Sequence, residues 1–272
     1  MTTFIKTSVA VAAVALTTLS GTAGPASGQS IAERVARVPN GSVRMSFAAR
    51  PGVCGSGNSI HHGNRGRTTW NDNRWESSRD VEWDSECAHG PVRVVLDRSD
   101  GHTSALRFYV GGRWRPGGAD ATDLGLVSAR DAANYLVSVA QTDRGAIGSK
   151  AIFPATIADS ADVWPALMRV ARNPDVPRGT RTQAVFWIGQ AAGEAATADL
   201  GALVVDNTVD REVREQAVFA LSQRPRDQSI PALIKVARTN RDPEIRKKAI
   251  FWLGQSDDPR ALDLFEELLT RP

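Results

Sequence analysis

Asp242-Pro243-Glu244-Ile245-Arg246 opens a stretch that continues through Ala249-Ile250-Phe251-Trp252-Leu253-Gly254-Gln255. Asp210-Arg211-Glu212-Val213-Arg214 opens another, continuing through Ala217-Val218-Phe219-Ala220-Leu221-Ser222-Gln223. The core recurs as Ala184-Val185-Phe186-Trp187-Ile188-Gly189-Gln190, and more loosely as Ala151-Ile152-Phe153-Pro154. The four alanines are spaced by 33, 33 and 32 residues. Self-similarity at such a period marks a repeat architecture.

A second pattern runs out of phase with the first. Trp164-Pro165-Ala166-Leu167-Met168-Arg169-Val170-Ala171-Arg172 matches Ile230-Pro231-Ala232-Leu233-Ile234-Lys235-Val236-Ala237-Arg238. Leu200, Leu203 and Val204 keep its register, as do Phe265, Leu268 and Leu269. Each unit therefore predicts two helices, A and B, separated by Pro, Gly or Asp. Such a pair cannot bury its apolar faces alone, and stacking about three pairs creates one continuous core. Four units are present, and a helix starting at Ser128 is placed to cap one end. Asp263, Glu266 and Glu267 predict a polar cap at the other.

The turn Asp242-Pro243-Glu244-Ile245-Arg246, followed by Ala249, Leu253-Gly254 and Asp258-Pro259-Arg260-Ala261, resembles the short bacterial HEAT repeats, including those of phycobilisome-lyase-type proteins. The resemblance spans about residues 150–272. It implies an α-solenoid of about four HEAT-like helical pairs. It also implies that Arg181, Arg214 and Arg246 form a structural ladder, each reaching an Asp of a neighbouring turn; an anion site is the alternative. Asp210 and Asp242 occupy matching turns, whereas Pro177 stands at that place in the second unit. Ankyrin and tetratricopeptide signatures are absent.

Three further columns bear on binding. Phe153, Phe186, Phe219 and Phe251 lie roughly 150° from the centre of the main apolar face of helix A. They form either a second buried seam, with the N-terminal half as its packing partner, or an exposed aromatic stripe for a protein partner. Gln190, Gln223 and Gln255 end helix A, either to cap free carbonyls or to meet a partner. Arg169, Arg172, Lys235 and Arg238 recur on helix B two units apart. In HEAT-like stacks the second helices line the concave side, which implies a partner surface there with affinity for acidic patches.

Before the repeats the chain is β-rich. Val43, Met45 and Phe47 alternate with polar residues, as in a half-buried strand. Residues 91–96 and 105–110 predict two more strands, joined by a hairpin turn at Asp100-Gly101. Residues 52–75 are poor in aliphatic side chains and predict a long loop. Residues 80–87 alternate strictly, so as a strand they align four carboxylates opposite Val81, Trp83 and Cys87. That face is either solvated, balanced by Arg65, Arg67, Arg74 and Arg79, or a calcium holder. The expected organisation is α+β in two domains: residues 1–28 a signal peptide, 29–120 a small β-rich domain, and 121–272 the solenoid.

The signal reading rests on Lys6, an apolar run over 8–19 and the small residues Ala26-Ser27-Gly28. That run is too short for a bilayer, which needs roughly 20 residues, and no later segment spans one. Export makes a Cys54–Cys87 disulfide the simple reading of the only two cysteines. Closing that loop is worth about 3–4 kcal/mol. A metal site using Cys54, His61, Cys87 and His89 is the sharper alternative, but its spacing matches no zinc pattern anchored by a CxxC pair.

The 272 residues carry a net charge of +3, too little to argue for nucleic acid. No Walker loop, HExxH, GxSxG, SxxK or dinucleotide fingerprint occurs. No cofactor is expected. The function expected is non-catalytic binding or scaffolding of a protein or peptide, in the periplasm or outside the cell. The alternative is an enzyme or metal-dependent module sited between Cys54 and His102.

Overall fold

The computed structural model describes residues 29–57, 59–62, 68–71, 80–116, 121–190 and 194–270. The expected signal peptide lies outside them, as do Arg65, Arg67, Arg74 and Arg79.

The repeat pattern produces a two-layered stack. Helices α3 (Ile147–Thr156), α5 (Arg178–Gly189), α7 (Arg211–Ser222) and α9 (Pro243–Gly254) are the A helices, each packed on the next. Helices α4 (Trp164–Arg172), α6 (Glu194–Val205), α8 (Arg226–Thr239) and α10 (Pro259–Thr270) are the B helices and form the second layer. The first member of that layer is α2 (Ala129–Thr142), which packs on both α3 and α4. Ser128 caps it by accepting a hydrogen bond from the Asp131 amide at 3.4 Å.

Helix α9 shows how the pattern works. Asp242 accepts from the Glu244 amide at 3.0 Å, and Pro243 starts the first turn. Ile245, Ala249 and Leu253, four residues apart, form its buried stripe. Close approach sets a further requirement. A side chain on Gly189 would meet the Ala220 Cβ of the next A helix at 2.9 Å, so only glycine lets α5 and α7 approach as they do.

The N-terminal half is built on the sheet β10-β1-β7-β8. Its strands are β1 (Gly41–Phe47), β7 (Val92–Ser99), β8 (His102–Val110) and β10 (Ala121–Leu126). The β7–β8 hairpin turns at Asp100 and Gly101, both with positive φ, as a two-residue turn requires. Val43, Met45 and Phe47 pair with Leu96, Val94 and Val92, which pair in turn with Leu106, Phe108 and Val110. This face joins the helices in one contiguous core.

Strand β10 pairs in parallel with β1, so residues 121–126 belong to the sheet. The boundary expected after residue 120 would cut through it, and the helices begin only at Ala129. A short helix, α1 (Ile31–Ala36), precedes the sheet and contacts α2. Its capping box is complete, with Ser30 and Glu33 each bonded to the other's amide.

Two predicted features take another form. The long loop expected over 52–75 contains β2 (Cys54–Ser56), β3 (Ser59–His62) and β4 (Thr68–Asn71). With β6 (Ala88–His89) they make a second sheet, ordered β4-β3-β2-β6. The alternating stretch over 80–87 is a strand only at β5 (Val81–Glu82), which pairs with β9 (Arg113–Trp114). Its carboxylates diverge. Asp80 accepts from Arg107 and from the Tyr109 hydroxyl, while Asp84 pairs with Arg113 and Glu82 and Glu86 stay exposed.

Candidate partner-binding surface

The aromatic column is a ladder with a gradient of burial. Phe153 is fully buried, stacked on Trp187 at 4.6 Å and touching Phe108 of β8 at 5.6 Å. Phe186 packs on Trp187 and stacks with Phe219 at 6.3 Å, and Phe219 meets Trp252 at 5.1 Å. Phe186 and Phe219 are half-buried, whereas Phe251, resting on Trp252, is 55% exposed. The gradient has a simple cause. The sheet covers the first unit and neighbouring A helices cover the middle ones. The last unit has no following A helix among the described residues.

Arg181 and Arg214 of the arginine column are buried in the stack, whereas Arg246 is half-buried. Arg181 donates to Asp210. Arg214 reaches Asp242 at 3.4 Å and gives its Nε–H to the Val204 carbonyl at 3.0 Å. It thereby caps the C-terminus of α6 from the following A helix. Arg246 donates at 2.8 Å to the Asn240 carbonyl just beyond α8. Burial opposes ionisation of Asp242, yet the Glu244 amide and Arg211 outweigh it and hold the carboxyl below its usual range.

The B-layer cations are exposed, but they are not equivalent. Arg169 donates to the Pro165 carbonyl of its own helix, 3.5 Å away. Arg172 and Lys235 are exposed. Arg238 is tied to Glu267 of α10 at 2.5 Å. The glutamines occupy C-cap positions with exposed side chains. Their backbone amides serve the helix ends, and the Gln223 side chain turns to the Ser222 hydroxyl instead of a free carbonyl.

At the junction of the two halves lies a cleft of about 750 Å³. Arg50 closes one side, its backbone amide donating to the Ile157 carbonyl at 2.9 Å and its Nε–H to the Ala158 carbonyl at 3.1 Å. Asp159 returns the contact through its amide to the Ala48 carbonyl. Trp164, Leu167 and Val53 line the interior. Arg50 gave no sequence signal, because its partners are carbonyls more than a hundred residues away.

Around the cysteines, three strands in register set His61, Cys54 and His89 side by side, and Cys54 is bonded to Cys87. Among the described residues no group of three or more His, Cys, Asp or Glu is placed to hold a metal ion. The outer face of the large sheet instead holds arginines that pattern reading missed. Burial opposes the charge of Arg107, but hydrogen bonds to Asp97 and Asp80 outweigh it and raise its pKa. Arg93 gives hydrogen bonds to the Gly112 carbonyl and to Ser46, with Trp114 stacked 5.0 Å away. These arginines hold strands and loops together.

Residues 198–272 match the HEAT repeats family. The match covers the last two helical pairs and part of the pair before them. No curated protein matches the chain. The C-terminal helices are thus a HEAT-like solenoid, following a β-rich region that contains the disulfide. HEAT repeats suggest protein partners. No helix among the described residues is long and apolar enough to cross a membrane.

Proposed function

We propose that the chain is an exported, non-catalytic interaction or scaffold protein that binds a protein or peptide through its solenoid. The observation that carries this reading is the stack. Each helical pair buries one face against its neighbours, leaving both layers a long outer surface along which side chains recur at fixed intervals. Within the HEAT-like class we assign the repeats to the short bacterial, phycobilisome-lyase type, on their period of 32–33 residues and the Asp242-Pro243…Arg246 turn. Export rests on the segment Lys6 to Gly28 and is supported by the Cys54–Cys87 disulfide, which suits an oxidising compartment.

The partner surface we assign uses Arg169, Arg172 and Lys235 of the B layer, with Arg238 as a paired member. Phe251 and the half-buried Phe186 and Phe219 mark the alternative surface, an aromatic stripe on the A layer, whereas Phe153 is a packing residue. Cations of this kind mainly set association rate and its salt dependence. The test is capture of partners from the native envelope with the chain from Gln29 onward, beside a variant reversing Arg169, Arg172 and Lys235. Arg238 is left intact because reversing it would face Glu267. A partner that associates several-fold more slowly with the variant supports the assignment. A partner bound equally by both places the contact elsewhere.

A further inference from the structure

The cleft at the junction of the two halves is made by a departure from the repeat. Helices A and B are joined by residues 223–225 in the third unit and 255–258 in the fourth, but by the longer segment 157–163 in the first. The extra chain is clamped to the β-rich half. Ala158 pairs with Ala49, and the Arg50 guanidinium donates to the carbonyls of Ala158 and Ala161. Ser160 has a φ of 52°, a left-handed conformation that residues other than glycine seldom adopt. The insertion is thereby held in one shape, and it forms a wall of the cleft.

The cleft has an apolar floor and a polar rim. Val53, Leu167 and Trp187 are buried along the floor, and half-buried Trp164 forms one side. Ser160, Asp162 and Gln190 are exposed at the rim, with Asp159 half-buried beside them. Of the three glutamines that end A helices, Gln190 is the one at this rim. The volume of about 750 Å³ falls within the roughly 300–1,000 Å³ of ligand sites. The charged lining residues are Arg50, Asp159 and Asp162. Arg50 gives two of its nitrogens to carbonyls of the inserted segment, so its guanidinium is part of the wall. The carboxylates have no ion-pair partner among the described residues, and Asp159 accepts from the adjacent Ser160 hydroxyl at 3.2 Å. Two carboxylates against one guanidinium leave the lining negative.

We propose that this cleft seats an arginine or lysine side chain of an extended peptide. The stem of such a side chain lies along Val53 and Leu167, as long basic side chains bury their methylenes on apolar surface. The cation stands against the Trp164 ring and is countered by the Asp159 and Asp162 carboxylates. Gln190 and Ser160 supply hydrogen bonds to the peptide main chain. A neutral saccharide can stack on a tryptophan as well, but it brings no counter-charge to the carboxylates, and an acidic segment is repelled by them. This site is separate from the B-layer cations, takes the opposite charge, and stands whether or not they bind a partner.

The test selects a phage-displayed random heptapeptide library on the full chain and titrates the enriched peptides, made with a fluorescent label, by anisotropy. The titrations use the parent, the Asp159→Asn/Asp162→Asn variant, Trp164→Leu, and a variant reversing Arg169, Arg172 and Lys235. Enriched peptides are expected to carry Arg or Lys beside an aliphatic residue. Their binding should weaken roughly tenfold in the aspartate double variant, as loss of charge-assisted hydrogen bonds does. It should weaken several-fold in Trp164→Leu and stay unchanged in the B-layer variant. Asparagine keeps the shape of aspartate, so the double variant should melt as the parent does even if Trp164→Leu does not. Enriched peptides that lack a basic residue, or that the double variant binds equally, overturn the proposal. So does a neutral saccharide whose binding Trp164→Leu abolishes and the double variant keeps. Peptides lost only on reversal of the B-layer cations remove this site while leaving the partner-binding reading in place.

Discussion

Replacing Phe153 by alanine should destabilise the protein far more than the same change at Phe251, although both hold the same place in the repeat. Phe153 has no exposed surface and contacts rings on both sides, from Trp187 and from Phe108 across the junction. Removing a buried phenylalanine costs about 3–5 kcal/mol in transfer and cavity terms. For a protein of this size, that lowers the melting temperature by about 6–20 °C. Phe251 is 55% exposed and touches one described ring, Trp252. Its truncation should cost less than about 1 kcal/mol, as surface changes do. Calorimetry of the two variants against the parent gives both numbers, and Phe186→Ala should fall between them. Equal losses at Phe153 and Phe251, or a larger one at Phe251, refute the idea that the sheet buries the start of the ladder and leaves its end open.

Three further outcomes follow from the packing and the charges. Thiol titration of unreduced, unfolded protein should find no free thiol, and Cys54→Ser/Cys87→Ser should lose about 3–4 kcal/mol; two free thiols in the parent contradict the bond. A chain starting at residue 121 should keep its helical circular dichroism but melt lower than the full chain, because β10 loses β1 and Phe153 loses Phe108; an unchanged melt would make the junction energetically irrelevant. Hydrogen bonds from Arg260 hold the Asp258 carboxyl down to about 2, against an ordinary 3.8. A depressed pKa adds stability that is full above about pH 4 and lost as pH falls toward 2. Asp258→Asn should therefore flatten the acid limb of a urea-unfolding series, and an unaltered limb speaks against the pairing.

The helices were legible because their signal is local and repeated. A stripe such as Ile245, Ala249 and Leu253 lies within one helix, and the 33-residue period supplies several copies of it. The β7–β8 hairpin was legible for the same reason, since Asp100-Gly101 fixes a two-residue turn between alternating strands. What stayed hidden depends on distant pairing. Residues 121–126 carry little apolar alternation, and only the parallel neighbour β1 makes them a strand. The strands within 52–75 pair short polar segments, which composition alone presents as loop. Helix α1 is the exception: Ser30 and Glu33 are a local capping signal, but the helix behind them is only six residues long. Phe153 and Phe251 cannot be told apart by sequence, because the repeat gives both the same position and their difference comes from what lies beyond each end of the stack. Arg238 likewise matches Arg172 in the repeat, and only the approach of Glu267 distinguishes them.

Amide hydrogen exchange of the full chain, with and without a captured partner, tests the partner-binding reading most directly. The account predicts that the partner slows exchange in the helices from α4 to α10 and leaves β2, β3 and β6 unchanged. Protection confined to the strands around Cys54, Cys87 and His89, with the helices unaffected, would contradict it and place the function in the β-rich half.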